Sequence, residues 1–512
     1  MSITYSLSNS MSSLLTLPGK APIHLNRAPL VILAAAAISI SFATLMYNRA
    51  TSKSNSEKDT TKSSSSARWT TAQNQQACDG DYESLIGKTP MIHLKKLSLL
   101  LGNGKHIYVK MESMNPGGTG KDRAALFMMR DAEEKGLLPP PLSGMSTATA
   151  STATNTNNVQ SAMCSTIPTS THKESDVTNS TSSTSNNSNS NISTIIQTAI
   201  QRSRTGGIVV EGTSGSTGIS LATLSAQRGH STIIVMPDDQ AKEKQTILKC
   251  LGAVVHVVPT AAISNPNQYV NVARKIAQEI NCGGYVCVNN DKVKIRAVFT
   301  NQFENEANYN AHITTTGPEI WEQTNHSIDA FCMSSGTGGT ISGVGQFLKN
   351  NREECKIVLI DPPGSALLNK VKYNIAYASE QKERGLLRHR YDTIAEGIGL
   401  DRVTRNFSLG ADNGVIDDAL RVSDQEAVDM AHWLLKEEGL FVGSSSAMNV
   451  CGAVRFASES MGPGSCVVTI ICDGGLRHLS RLWNRDFIKD WGLESPEDNV
   501  AAWRSRLPKC LQ

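Results

Sequence analysis

The chain has 512 residues, 39% of them apolar, and sets 49 Lys and Arg against 46 Asp and Glu. So balanced a charge argues against a dedicated nucleic-acid binder, which carries a strong basic excess or a basic stripe. Its 11 cysteines include no C-x-x-C pair, so neither a disulfide scaffold nor a zinc ribbon is suggested, and no metal site is expected.

The first element is an apolar run at 28–48, 21 residues without a formal charge between Arg27 and Arg49. At roughly 1.5 Å per residue, a helix there spans about the 30 Å of a hydrocarbon core. It is apolar all round, unlike the striped helix of a globular core. It begins late for a secretory signal and is too continuously apolar for an Arg-rich presequence. A retained signal anchor fits best. Basic residues are denser after the run (Arg49, Lys53, Lys58, Lys62, Arg68) than before it (Lys20, Arg27), which leaves the C-terminal bulk in the cytosol. A short anchor with basic flanks resembles those of mitochondrial outer-membrane proteins, and the matrix is the alternative. Residues 51–77 are polar and unperiodic and read as a flexible tether.

From residue 78 onward short apolar runs alternate with amphipathic ones. The pairs are 107–111 then 123–134, 207–211 then 219–227, 231–236 then 242–251, 331–335 then 340–349, and 467–472 then 476–483. Strand and helix in alternation predict a parallel-sheet α/β protein. One block interrupts the pattern: residues 143–205 contain 37 Ser, Thr or Asn in 63 positions and no Phe, Trp or Tyr. Such a block cannot bury enough apolar surface to offset its ordering entropy and is expected to be a mostly disordered surface insertion. Within it Ile192, Ile195, Ile196, Ala199 and Ile200 recur at helical spacing, which predicts a short helix near its end. The expected organisation is therefore anchor and tether at 1–77 and one catalytic domain at 78–512, interrupted at 143–205.

Ligands in such folds bind at the carboxyl ends of strands, where this chain has four glycine- or serine-rich junctions. The first, NPGGTGKDR at 115–123, fails as a Walker loop because Asn115 and Asp122 occupy positions that need Gly and Ser or Thr. A lysine in a turn that opens a helix can still hold a neutral, nucleophilic amine. The second, EGTSGSTG at 211–218, offers free N–H groups and hydroxyls to an anion. The third, SGTGGT at 335–340, is no dinucleotide fingerprint, because Ile341 stands where the last Gly belongs, and it suits one phosphate. The fourth is VGSSSA at 442–447. Singly, each is also compatible with an ordinary strand-to-helix turn.

Taken in order, these junctions join IGKTPMIHL at 86–94, QFEN at 302–305, TTGPEI at 315–320, EGIG at 396–399 and CDGGLRHLS at 472–480. The set resembles the β-family of pyridoxal-phosphate enzymes (fold-type II), and within it the cysteine synthase and cystathionine β-synthase branch. The resemblance implies two α/β subdomains with mostly parallel twisted sheets, pyridoxal 5′-phosphate as cofactor, and a homodimer. It implies that Lys121 binds the cofactor aldehyde and then serves as base for the substrate α-proton. Gly336, Thr337, Gly338, Gly339 and Thr340 would hold the phosphate, and Ser445 the pyridine nitrogen, with Asp473 near that end of the ring. Thr213, Ser214, Gly215 and Thr217 would bind the substrate carboxylate, and Gly397 would approach cofactor and substrate. Ser216 departs from the Asn that most members use to contact the cofactor's ring hydroxyl. The serine triplet 444–446 departs from a pattern that often contains Gly. The implied reaction joins O-acetylserine and sulfide into cysteine and acetate. Cystathionine β-synthase or serine sulfhydrase activity, or a membrane-tethered pseudoenzyme, are the alternatives. The expected partners are a small amino acid, sulfide and a membrane, with no nucleic acid.

Overall fold

The computed structural model describes residues 81–142, 186–261, 263–283, 285–288, 291–378 and 393–512. The expected anchor at 28–48, the tether at 51–77 and residues 143–185 of the expected insertion lie outside the described residues. Among the described residues no helix is long and apolar enough to cross a membrane.

Twelve strands are described: β1 (Met91–His93), β2 (His106–Lys110), β3 (Gly207–Gly212), β4 (Ser231–Pro237), β5 (Val254–Val258), β6 (Tyr285–Val288), β7 (Asp291–Lys294), β8 (Arg296–Phe299), β9 (Ala330–Ser334), β10 (Lys356–Asp361), β11 (Asp418–Arg421) and β12 (Cys466–Ile470). They form a six-stranded sheet in the order β1-β2-β12-β9-β10-β11, a four-stranded sheet in the order β5-β4-β3-β8, and the pair β6-β7. The four-stranded sheet is parallel throughout. In the larger sheet only the edge strand β1 runs antiparallel to its neighbour. Parallel strands covered by helices on both faces need apolar residues at nearly every position. β3 and β4 meet that demand with GIVVEG and STIIVMP, buried along their whole length.

Each sheet carries its own core. On one face of the six-stranded sheet Val109, Cys332 and Ile360 pack with Met430, Met448 and Val450 from the helices Asp424–Trp433 and Ser444–Ser460. On its other face Phe331 and Leu359 meet Ile341, Val344 and Phe407. In the smaller sheet Ile208, Val210, Ile233 and Val235 pack on Ala273, Ile276 and Ile280 of the helix Tyr269–Asn281.

Two expectations are corrected here. The block 143–205 is not a surface insertion throughout, because the helix Asn186–Arg202 belongs to the smaller sheet's core. Ile195 and Ala199 are buried there, with Ile192, Ile196 and Ile200 packed beside them. Offsets of 0, 3, 4, 7 and 8 put these five residues on one face, as the periodicity predicted. The Ser, Thr and Asn count over the whole block hides that stripe. The second correction is the helix expected at 476–483, which is a 3₁₀ turn at Gly475–His478 followed by further turns. His478 is caught by Asp473, five residues back, and regular helix resumes only at Arg485–Asp490, capped by Asn484.

Candidate active site

Lys121 is the first residue of the helix Lys121–Glu134, reached from β2 through a short 3₁₀ turn and a glycine-rich loop. The loop is held by its own side chains. Asp122 Oδ2 accepts from the Gly117 N–H at 2.6 Å, and Arg477 donates to the Gly117 carbonyl. A Cβ on residue 117 would lie 2.3 Å from Asp122, so the cinch needs glycine. Burial pushes the Asp122 carboxyl up to about 6, against the hydrogen bonds it accepts from Ser220 and Gly117. Beneath the loop Arg123 is 1% exposed and paired with Glu112 at 2.8 Å and Glu319 at 2.7 Å. Lys110, also buried, reaches the same Glu319 at 2.7 Å. This ion network fixes the helix start, and Lys121 lines a cleft. Removal from water pushes the Lys121 amine below the ordinary lysine range, while Cys472, Asp473 and Glu112 act in the opposite sense.

The other junctions meet Lys121 at the strand ends. After β3, Ser214, Ser216 and Thr217 line the cleft. Thr213 and Gly215 shape the loop from behind, with Thr213 Oγ1 accepting from the Gly215 N–H at 3.1 Å. Thr217 donates to Gln302 Oε1 at 2.6 Å, and Gln302 Nε2 donates to the Gly212 carbonyl at 3.1 Å. After β9, Gly336 and Thr337 line the cleft, while Gly338, Gly339 and Thr340 open the helix Gly339–Asn351 behind them. Gly338 has φ +88°, and a Cβ there would lie 2.5 Å from Phe407. Asn308 donates to Thr337 Oγ1 at 2.8 Å, and His312 Nε2 lies 3.1 Å from Thr340 Oγ1. His312 stands on a single π-turn, His312–Thr316, a distortion common at functional sites. Burial and nearby Lys121 push the imidazole down to about 3, so it is neutral and can accept the Thr340 hydroxyl. After β12, Cys472 and Asp473 line the cleft beside Ser445 of the helix Ser444–Ser460. Gly397 closes the far side with φ +77°, and its carbonyl would lie 2.1 Å from a Cβ on residue 336.

Eight of the expected site residues therefore line one cavity: Lys121, Ser214, Ser216, Thr217, Gly336, Thr337, Gly397 and Ser445. The remaining five, Thr213, Gly215, Gly338, Gly339 and Thr340, buttress it. Sequence reasoning gave no role to Gln302, Phe303, Tyr269, Lys244 or Glu396, which also line it. The stretches 302–305 and 396–399 carried a signal for Gln302, Phe303 and Glu396. Lys244 looks like any lysine on an amphipathic helix.

The site suits the cofactor that the resemblance implies. A helix N-terminus leaves its first N–H groups without intrahelical partners, and here glycine brings the backbone close enough to surround a phosphate. The Ser334 and Ser335 hydroxyls nearby are buried without hydrogen-bond partners among the described residues. The same cleft offers the Lys121 amine and the Ser445 hydroxyl.

Comparison with known proteins agrees. The model of the family "Pyridoxal-phosphate dependent enzyme" matches residues 82–166 and 182–473. Cysteine synthase 2 of Schizosaccharomyces pombe is 39% identical over 407 residues, which cover 80% of this chain and 84% of that protein. A Saccharomyces cerevisiae protein, provisionally named a mitochondrial cysteine synthase, is 40% identical over 402 residues, 78% of this chain and 83% of that one. The crystal structure of O-ureido-L-serine synthase superposes with a TM-score of 0.54 at 25% identity, over 82% of this chain and 98% of that one. With a family model that matches 82–166 and 182–473 and these relatives beside it, the chain belongs to the pyridoxal-phosphate dependent enzyme family, and its cofactor is pyridoxal 5′-phosphate.

Proposed function

We propose that the chain is a cysteine synthase, in which hydrosulfide replaces the acetoxy group of O-acetylserine to give cysteine and acetate. The observation that carries this reading is the pair of cysteine synthase relatives, 39% and 40% identical over about four-fifths of this chain. When bound, the cofactor draws electrons from the substrate α-carbon, which acidifies its proton and lets the β-substituent leave. Lys121 Nζ accepts that proton. Ser214 and Thr217 hold the substrate carboxylate with Gln302, on a loop shaped by Thr213 and Gly215, and Ser216 stands at the cofactor's ring hydroxyl. Gly336, Thr337, Gly338, Gly339 and Thr340 hold the phosphate through N–H and hydroxyl donors. Ser445 gives the ring nitrogen a neutral partner, which makes a weaker electron sink than a carboxylate would and favours β-elimination. Gly397 closes over substrate.

Purified full-length protein is expected to be yellow and to form cysteine from O-acetylserine and sulfide. Lys121→Ala is expected to lose the colour and at least about 10³-fold of the rate, within the range of general-base effects. Faster turnover of serine with homocysteine would make it a cystathionine β-synthase instead, and a colourless wild type would make it a pseudoenzyme. Light scattering on the same preparation checks the homodimer.

Residues 78–512 form the catalytic domain, tethered by 28–48 to the mitochondrial outer membrane and facing the cytosol. The basic residues after the run support the orientation, and the name of the Saccharomyces cerevisiae relative supports the organelle. Deleting 28–48 is expected to move activity from the membrane to the soluble fraction. A C-terminus protected from protease in intact mitochondria would place the domain in the matrix.

A further inference from the structure

A chain of alternating charges leads away from Lys121. Asp473 lines the same cavity, and a backbone bridge between Thr119 and Asp473 ties it to the turn before Lys121. Asp473 Oδ2 lies 3.0 Å from His478 Nε2, and His478 Nδ1 lies 2.9 Å from Glu396 Oε2. Glu396 Oε2 in turn lies 3.1 Å from Lys244 Nζ. Asp473, His478, Glu396 and Lys244 are each no more than 8% exposed. The other oxygen of Asp473, Oδ1, has no hydrogen-bond partner among the described residues. Residue 443 leaves room for it only as glycine, since a Cβ there would lie 2.1 Å from Oδ1. A buried carboxylate oxygen without a donor is costly unless a cation faces it.

The other acidic groups near Lys121 are already neutral or paired. Burial pushes the Cys472 thiol up to about 11. Glu112 is engaged at both oxygens by Arg123, at 2.8 Å each. His312 is neutral. Asp473 itself faces His478, Lys244 and Arg477, which outweigh the cost of its burial and hold its carboxyl below the usual range. Glu396 faces Lys244, His478 and Arg481, which do the same for its carboxyl.

We propose that Asp473 is the counter-charge of Lys121: its carboxylate, in the same cavity, stabilises the ammonium that Lys121 becomes on taking the α-proton, while His478, Glu396 and Lys244 keep Asp473 ionised. Asp473 is thus a positioning residue that acts through Lys121, and the proposal rests on the reading of Lys121 as the base.

The test measures Lys121 directly in the full chain stripped of cofactor. Limiting acetic anhydride acetylates only the free amine, forming an amide and releasing acetate, and mass spectrometry reads the modified fraction at Lys121 across pH. Asp473→Asn is expected to lower the half-labelling pH by about one unit or more, the usual effect of losing an opposite charge. A variant that merely loosened the cleft would rehydrate Lys121 and move the value upward. An unchanged or raised half-labelling pH would therefore overturn the proposal. Circular dichroism checks the fold, and Asp473→Ser makes the same measurement should Asp473→Asn not fold. Because labelling needs no turnover, failure to make cysteine would sink the cysteine synthase reading and leave this result standing.

Discussion

Burial alone would strip His478 of its proton, but Asp473 at 3.0 Å and Glu396 at 2.9 Å reverse that and push its pKa up to about 9. The unfolded chain releases the same proton near 6.5. Between those values the folded state binds the extra proton, so folding stability falls as pH rises. The contribution is whole below about pH 6.5 and gone once pH passes about 9. Denaturant melts are expected to lose on the order of 1–3 kcal/mol across that window in the wild type, and His478→Gln should flatten the slope. Equal slopes in the two proteins would show that the pair of carboxylates does not hold the proton. Glu211 acts in a lower window: burial raises it to about 7 against hydrogen bonds from Thr300 and Gln302, so its slope lies below that of His478. At this scale the place of Lys121 and Ser445 in the cleft was legible, because each stands in a junction ahead of a helix, where α/β folds bind ligands. Lys244 was not, since nothing local separates a lysine that reaches a buried glutamate from one in water.

Elements were legible where one local rule acted alone. β3 and β4 need only burial on both faces, and their runs of Ile and Val announce it. The helix Asn186–Arg202 shows two rules in conflict. Its composition is that of a disordered segment, while its five apolar positions form one stripe, and the stripe prevails because the smaller sheet offers it Ile208, Val210, Ile233 and Val235. The segment 476–483 shows the opposite outcome. Leu476, Leu479, Leu482 and Trp483 look like the face of a helix, yet Leu476 is 70% and Leu479 46% exposed, while Leu482 enters the core and Trp483 packs against it. Tertiary charge decides here, because the ion pairs of His478 with Asp473 and Glu396 fix a tight turn that no periodicity encodes. The π-turn at His312 belongs with it, since its imidazole meets a hydroxyl 28 residues further along the chain, a contact that no local spacing announces.

At the scale of the whole catalytic unit, the cleft separates two sheets, and a polar clasp joins them across its rim. From the smaller sheet's side come residues 239–244, which follow β4. From the larger sheet's side come Glu396, Ser480 and Arg481. The Ala241 N–H donates to Glu396 Oε1 at 2.8 Å, Ser480 donates to Glu243 at 2.7 Å, and Arg481 donates to the Asp239 carbonyl. Lys244 completes the clasp at Glu396, while its stem lies against Gly215, where a Cβ would approach it to 2.7 Å. A clasp of hydrogen bonds and ion pairs can open and reform far more readily than a packed apolar seam, which suits a cleft that must admit and release small amino acids. Lys244→Met keeps the stem on the loop at Gly215 and removes the charge. It is expected to raise the KM for O-acetylserine about tenfold, or ~1.4 kcal/mol, close to the worth of one charged hydrogen bond. Cofactor colour should be retained, because Lys244 pairs with Glu396 and packs on Gly215. Lys244→Arg, which restores the charge, should recover part of the loss. A fall in kcat at constant KM would instead trace the effect of Lys244 to Asp473 and Lys121, and rule out a role in holding the loop at Gly215.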